Sequence, residues 1–116
     1  MPDFLILDQN DLPADNGARL WEGYRYGDIN ASLILIDLPP GGGPGLHRHP
    51  YEEIFVVHEG CALYTIGSMT IAVRAGQIVI VPKGVPHKFV NSGPSDLRQT
   101  DIHLSKRFET EWFEQA

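Results

Sequence analysis

The stretch GGGPGLHRHPYEEIFVVHEG, residues 41–60, carries the main signal for both the fold and the chemistry of this chain. A glycine-rich loop leads into His47 and His49, and Glu53 then opens an apolar run. Because successive side chains of a strand alternate between its faces, the two histidines should point the same way. Glu53 follows the turn at residues 50–52 and can lean back toward them. This spacing suits a metal site, although a solvated surface accounts for it equally well when the stretch is taken alone.

A second stretch, GQIVIVPKGVPHKFVN at residues 76–91, continues the pattern. A short apolar strand is followed by a tight turn between Pro82 and Pro86, which directs His87 into the next strand. Together the two stretches spell G-x5-H-x-H-x3-E-x6-G and G-x5-P-x-G-x2-H-x3-N. They resemble the two sequence motifs of the cupin superfamily at every defining position. Among cupins, the chain is similar to the small single-domain members with a type-2 conserved barrel.

This resemblance implies a jelly-roll β-barrel, also called a double-stranded β-helix, that holds a metal inside. Its metal ligands would be His47, His49, Glu53 and His87. Three imidazoles and one carboxylate suit a single divalent ion of Fe, Mn, Ni, Cu, Co or Zn, and the sequence does not choose among them. Asn91 is expected to be a turn or hydrogen-bonding residue. Gly60 and Gly76 are expected at turns that need positive φ.

The rest of the chain fits an all-β fold. Its 12 glycines and 9 prolines divide it into short apolar runs, and strands separated by turn signals at such intervals are typical of a sandwich or barrel. We predict strands over residues 32–38, 53–60, 77–82, 87–91 and 97–104, a hairpin over 61–76 and weaker strands around 4–7 and 18–26. We find no repeat or linker, so residues 1–116 are expected to form one domain, with the first motif at 41–60 and the second at 76–91.

The segment SKRFETEWFE, residues 105–114, departs from the strand pattern. Ser105 is a suitable N-cap, and Phe108 and Trp112 would share one face of a helix. We therefore predict a short C-terminal helix.

For the strand at residues 97–104, the sequence leaves open which face points into the barrel. The strand's polar face is formed by Gln99, Asp101 and His103. Its opposite, mostly apolar face is formed by Thr100, Ile102 and Leu104. Burying Asp101 as an unpaired charge would be costly, so we expect the polar face in solvent. In the opposite phase, His103 would be an acid/base group or a substrate ligand near the metal. Tyr51 is a second candidate for orienting a substrate.

Composition narrows the range of partners. The net charge of −6, from nine Lys and Arg against fifteen Asp and Glu, disfavours nucleic acid and anionic membranes. Cys61 is the only cysteine, so no intrachain disulfide can form. No apolar run approaches the roughly 20 residues that a membrane span needs. The start, MPDFLILDQND, lacks the basic leader of a signal peptide. We expect a cytoplasmic protein.

The resemblance allows two classes of function. The leading hypothesis is a small metal-dependent enzyme of dioxygenase, isomerase or lyase type that acts on a small metabolite. The alternative is a non-enzymatic protein that binds or senses a small molecule and keeps a structural metal. We also expect a homodimer, because Ile54, Val56 and Leu63 should form an outward apolar patch and the N-terminal segment could pair with a neighbour's sheet edge.

Overall fold

Two antiparallel β-sheets face each other across a shared interior in the computed structural model, which describes residues 4–115. The strands are β1 (Ala14–Asp15), β2 (Ala18–Glu22), β3 (Ser32–Leu38), β4 (His47–Arg48), β5 (Glu53–Glu59), β6 (Cys61–Ile66), β7 (Met69–Arg74), β8 (Ile78–Val81), β9 (His87–Asn91), β10 (Leu97–His103) and β11 (Glu111–Trp112). Two 3-10 turns, Gln9–Asp11 and Gly23–Tyr26, complete the regular structure. No helix among residues 4–115 is long and apolar enough to cross a bilayer.

The first sheet has the strand order β1-β2-β3-β10-β5-β8, and the second has the order β11-β4-β9-β6-β7. Consecutive strands β4 and β5 therefore lie in different sheets, as expected of a jelly roll, and the predicted all-β barrel is confirmed. The predicted hairpin turns at Gly67-Ser68 between β6 and β7. Gly60 and Gly76 have φ of +84° and +89°, which confirms that both turns use the left-handed region.

The interior is apolar at one end and polar at the other. An apolar cluster fills the first end, and it consists of Leu38, Phe55, Val57, Ala62, Tyr64, Val73, Val81, Phe89 and Leu97. Phe55, Tyr64 and Phe89 pack with ring centroids 5.2–6.0 Å apart. Phe55 follows Glu53 on the inward face of β5, and Phe89 follows His87 on that of β9. The aromatic rings thus form a floor beneath the polar end.

The predicted strand at residues 4–7 is wrong. Phe4, Leu5, Ile6 and Leu7 lie outside both sheets with 45–86% of each side chain exposed. Within residues 4–115, Leu12 is the first buried residue. Within one copy of residues 4–115, this apolar run has no neighbouring strand to pair with. The weaker strand around residues 18–26 is confirmed only as far as Glu22, where a 3-10 turn replaces it.

The predicted C-terminal helix is also wrong. Residues 105–110 run as bends and irregular backbone, and Glu111–Trp112 forms β11 against β4. The two aromatic residues that suggested a helical face pack in different places, Phe108 on the ring of His103 and Trp112 on the ring of His47. These tertiary contacts outweigh a weak local preference for helix.

Candidate metal centre

The structure brings together the four residues that the motifs single out. His47 opens β4, His49 follows that strand, Glu53 opens β5 and His87 opens β9. His47 lies directly opposite His87 in the second sheet, whereas Glu53 comes from the first sheet. One potential ligand atom from each of the four lies within 4.8 Å of the other three. All four side chains are buried, with 1–7% of each residue exposed.

The three imidazole rings are held by the same kind of hydrogen bond. The Nδ1 atom of each ring lies against a backbone carbonyl oxygen: His47 against Gly45 at 2.7 Å, His49 against Glu109 at 2.9 Å and His87 against Val85 at 2.9 Å. A carbonyl oxygen only accepts, so Nδ1 carries the proton and donates in each case. In a neutral ring, the Nε2 atom then presents a lone pair. The three lone pairs point into the space shared with Glu53.

That space suits a cation. Glu53 Oε1 lies 3.0 Å from His49 Nε2 and 3.1 Å from His87 Nε2, and the second contact has hydrogen-bond geometry. His49 Nε2 is buried and has no aligned hydrogen-bond partner among residues 4–115. When only Nδ1 of each ring is protonated, these contacts set acceptors against an acceptor, and a proton on Nε2 or a cation between the groups relieves the repulsion. Three nitrogens and a carboxylate oxygen are a donor set typical of a divalent transition metal, and backbone acceptors behind the rings are typical of its ligands. The residues therefore fit a metal ion.

Electrostatics favour the ligating forms of two of the residues. Burial lowers the pKa of His47 to about 4, more than the Gly45 carbonyl raises it, and the neighbouring histidines His87 and His49 lower it further. His47 is thus neutral near pH 7. Burial alone would raise the pKa of Glu53, but contacts with His103, His49 and His87 hold it well below its usual range. Glu53 therefore remains a carboxylate.

The polar face of β10 points into the barrel, so the expectation that it faces solvent is wrong. Gln99, Asp101 and His103 are 2–3% exposed. β10 lies between β3 and β5, and its register places Asp101 opposite Phe55, which points into the core. Burial and the negative charge of Glu53 raise the pKa of Asp101 well above its usual range. The raised pKa favours the neutral form of Asp101, which lowers the cost that was expected to keep this face in solvent.

His103 and Tyr51 both contact the four-residue group. His103 Nε2 lies 3.0 Å from Glu53 Oε2, and His103 Nδ1 lies 2.6 Å from the Tyr51 hydroxyl. The Tyr51 ring stacks on His49 with centroids 5.0 Å apart. Burial raises the pKa of Tyr51, so its hydroxyl keeps its proton. The two further candidates from the sequence thus lie beside the predicted ligands.

Residues 104–115, which we call the C-terminal segment, lie across the site. The Trp112 ring packs on His47 at 4.7 Å, and Phe108 packs edge-on against His103 at 5.0 Å. The peptide of Glu109 donates its N–H to the Tyr51 hydroxyl, and the carbonyl of the same residue accepts from His49. The sequence did not lead us to predict that the C-terminal segment contacts the site. Two aromatic residues in an otherwise polar tail are the available signal, but their spacing suggests a helical face instead.

A cleft of about 460 Å³ opens beside His49. It is lined by Arg48, His49, Pro50, Gly84, Glu109, Thr110 and Glu111. The ion pair between Arg48 and Glu111, at 3.1 Å, lies at its side. Of the four predicted ligands, only His49 lines the cleft.

Comparison with known proteins agrees with this architecture. Residues 34–103 match the family model described as Cupin domain. An uncharacterised protein, MJ1618, of Methanocaldococcus jannaschii is 32% identical over 74 residues, which cover 63% of this chain and 59% of that protein. The oxalate-binding protein of Thermotoga maritima is 33% identical over 63 residues, covering 53% of this chain and 52% of that protein. The chain spans little more than half the length of these curated relatives.

Solved structures share the fold at lower identity. An oxalate oxidase in complex with the substrate analogue glycolate superposes with a TM-score of 0.78 at 24% identity, covering 97% of this chain and 65% of that one. The oxalate decarboxylase of Bacillus subtilis, a protein with Mn(II) centres, has a TM-score of 0.79 at 20% identity, covering 90% of this chain and 30% of that one. At these identities the likeness establishes the fold alone.

Proposed function

This chain belongs to the cupin family, and from that premise we propose that it binds one divalent transition metal and acts there on a small metabolite. The proposed ligands are His47, His49, Glu53 and His87. One observation carries the proposal. Three imidazoles, each fixed by a backbone acceptor at Nδ1, surround a buried carboxylate that no Lys or Arg side chain pairs with among residues 4–115.

The leading form of the proposal is a small enzyme of dioxygenase, isomerase or lyase type. When bound, the metal would supply a Lewis-acid or redox centre for a substrate oxygen. The protein's own part is to exclude bulk water with the floor of Phe55 and Phe89, and to place His103 and Tyr51 beside the centre. The oxygen- and nitrogen-rich donor set accommodates Fe, Mn, Ni, Cu, Co or Zn. Manganese is the first ion to try, because the structurally similar oxalate decarboxylase has Mn(II) centres.

The second candidate function is a protein that binds a small carboxylate without converting it. Two observations favour it. A curated relative is named an oxalate-binding protein, and the C-terminal segment leaves the four side chains 1–7% exposed. A metal centre that recruits an acidic ligand needs no acid/base group. Oxalate is therefore a suitable first probe for both candidates.

The metal proposal is tested by replacing one ligand. His47→Ala should lower the amount of bound metal at least ~10-fold. Removing a group that only hydrogen-bonds to a metal ligand can already reduce metal affinity that much. The protein is purified without a histidine tag or added metal, and its metal content is then measured by mass spectrometry. His58→Ala is the matched control, since His58 is exposed and contacts Thr100 on the outer face. Equal metal content in the His47 and His58 variants would contradict the assignment.

Enzyme and binder are then separated with the metal-loaded protein. Calorimetry measures whether oxalate binds, and oxygen uptake together with product analysis measures whether it is consumed. Binding that depends on His47 but leaves oxalate unchanged would favour the binding protein. Consumption that is lost in His47→Ala would favour the enzyme.

We also propose that the chain forms a homodimer through the outer face of the first sheet. The register aligns one large apolar residue from each of five neighbouring strands on that face: Trp21, Leu33, Ile102, Ile54 and Ile80. We call this set the apolar row. The exposed residues 4–7 are apolar as well, and they leave the fold near Arg19, whose guanidinium donates to the carbonyls of Asn10 and Leu12. A second copy would cover both features at once.

A further inference from the structure

We infer that His103, backed by Tyr51, is a positioning residue that holds Glu53 as a metal ligand through a single oxygen. This inference rests on the metal site proposed above and extends it to residues outside the four ligands. It starts from the unequal surroundings of the two Glu53 oxygens. Oε1 faces His49 and His87, at 3.0 and 3.1 Å. Oε2 faces only His103 among these histidines, at 3.0 Å.

The tautomer of His103 follows from Tyr51. The Tyr51 oxygen accepts the N–H of Glu109 at 3.3 Å, so its own proton is free to donate elsewhere. His103 Nδ1 lies 2.6 Å away. If the hydroxyl donates, Nδ1 accepts and the proton of the neutral ring is on Nε2. His103 thus has the opposite tautomer to the three ligand histidines, and it presents an N–H where they present a lone pair.

The sheet, rather than a loop, places that N–H beside Oε2. His103 and Glu53 are directly opposite each other on the adjacent strands β10 and β5. The ring is further held edge-on by Phe108 at 5.0 Å and by His49 at 4.7 Å. The distance to Oε2 is short, but Nε2 has no aligned hydrogen bond among residues 4–115. Rotation about the last torsion of Glu53 would align it, and that torsion is soft.

The chemical consequence concerns how Glu53 binds. An oxygen that accepts from His103 is held away from the metal, so Glu53 uses Oε1 alone. The hydrogen bond also fixes the carboxylate in the ligating orientation before the ion binds. Residues that hydrogen-bond to metal ligands raise the affinity for the metal in this way. His103 itself is not among the residues whose donor atoms lie within 4.8 Å of one another. It therefore acts through Glu53.

The first test is metal affinity, measured by competition with a chromophoric chelator. His103→Leu should weaken binding of Mn(II) or Zn(II) at least ~10-fold. His103→Gln should recover much of that loss, because its amide N–H can reach the position of Nε2–H. Tyr51→Phe keeps the stacked ring but removes the hydroxyl, and it should give a smaller loss. His58→Leu, on the outer face of β5, is the control. Affinity in His103→Leu equal to that of the control would overturn the inference.

The second test detects the tautomers directly and needs no activity. Long-range nitrogen–proton NMR of the zinc-loaded protein should show the proton of His103 on Nε2 and those of His47, His49 and His87 on Nδ1. Tyr51→Phe should shift the His103 pattern alone. A proton on Nδ1 of His103 in the native protein would overturn the inference, even if His103→Leu failed to fold. If the native protein bound no divalent ion, the proposed function would fail and this inference with it. Metal binding with the His103 proton on Nδ1 would overturn the inference alone and leave the proposed metal site standing.

Discussion

Two carboxyl groups inside one barrel have pKa values shifted in opposite directions. Glu53 is surrounded by imidazoles, and its pKa is held well below the usual range despite burial. Within residues 4–115, Asp101 has no imidazole or cation to offset burial, and the charge of Glu53 raises its pKa further. Its Oδ1 accepts from Gln99 at 2.7 Å, and Gln99 in turn accepts from the Tyr64 hydroxyl at 2.8 Å. Burial therefore favours the protonated form of the Asp101 carboxyl group.

Replacing Asp101 by Asn tests this state through the pH dependence of stability. The folded pKa is raised above the ordinary value of 3.8, so between the two values the folded protein holds one more proton than the unfolded chain. Stability from this group is therefore present below pH 3.8 and is lost as the pH rises through the folded pKa. The asparagine side chain keeps an oxygen that accepts from Gln99. Because it does not titrate, it adds no pH dependence to the stability. Relative to the native protein, Asp101→Asn should gain stability as the pH rises.

The measurement is urea unfolding at several pH values in the presence of a chelator, so that metal binding does not contribute. Gln99→Glu is a useful companion, because it adds a second titratable group beside Asp101 and should steepen the loss of stability at high pH. Parallel stability curves for the native protein and Asp101→Asn would show that Asp101 is not protonated in the fold.

At the residue scale, the sequence predicts how residues close along the chain are arranged, but it does not show the protonation state of a buried group. The spacing of His47, His49 and Glu53 is short, so strand alternation alone indicates that they converge. His87 could be added only through the second motif. The phase of β10 was predicted wrongly because the expected cost of burying Asp101 is that of a charged group. A neutral carboxyl group hydrogen-bonded to Gln99 avoids that cost.

At the scale of the turns between strands, two motif glycines differ in their surroundings. Both need positive φ, and a side chain in that region costs about 1–2 kcal/mol. A Cβ at Gly60 would lie 2.6 Å from the Asp96 carbonyl oxygen, whereas one at Gly76 would meet nothing within 4 Å. Gly60→Ala should therefore destabilise the protein more than Gly76→Ala, by at least ~1 kcal/mol. Urea unfolding of the two variants gives the comparison, and equal losses would mean that the turn at Gly60 relaxes freely.

The C-terminal segment should be less accessible to protease when metal is bound. It is held to the site partly by the hydrogen bond from His49 Nδ1 to the Glu109 carbonyl, and a metal on Nε2 would fix that ring. Binding to the closed form stabilises it by mass action. Trypsin cleavage after Lys106 and Arg107 should therefore slow at least ~3-fold with saturating Mn(II). His47→Ala is the control, in which added Mn(II) should give no protection. Protection of that variant would show that the effect does not come from the site.

The course of this segment could not be predicted from its sequence. Phe108 and Trp112 have helical spacing, and nothing local argues against a helix. Two of its partners, the ring of His47 and the hydroxyl of Tyr51, are distant in sequence. The third, the ring of His103, is close in sequence but lies on β10, whose phase was itself predicted wrongly. The barrel strands, in contrast, have apolar runs bounded by Gly and Pro within a few residues. Their positions were accordingly predicted well, and β3 and β9 match to the residue.

At the scale of the whole molecule, the outer face of the first sheet is unusually apolar for a surface. The apolar row crosses five strands and ends at Ile80, which is 67% exposed. Outward positions for Ile54, Val56 and Leu63 were predicted from strand alternation, and the structure confirms them. The single patch expected from these three residues is wrong, because Leu63 lies on β6 of the second sheet while Ile54 and Val56 lie on β5 of the first. The sequence could not show that the register would align residues from distant strands in a continuous row. Homodimer formation through this face remains a prediction.

Ile80→Lys tests that prediction. In a monomer the lysine would be largely in water and should cost little stability. In a dimer built on the apolar row it would bury an unpaired charge, and the dissociation constant should rise at least ~10-fold. Met69→Lys is the matched control, because Met69 is 62% exposed but lies on β7 of the second sheet. Sedimentation velocity over a range of concentrations distinguishes the outcomes. A native protein that stays monomeric at high micromolar concentration would contradict the proposed homodimer.

The central position of β10 also determines when this protein can fold. β10 pairs with β3 on one side, where His103 faces Ser32, and with β5 on the other. The first sheet therefore cannot close until the chain has been synthesised through residue 103, and the entropy cost of closing these long loops precedes the gain from their contacts. We expect folding on the millisecond-to-second scale typical of sandwiches. Since His103, which faces Glu53, belongs to a strand that joins β5 only after this closure, we expect the ion to be captured late in folding and not to direct its beginning.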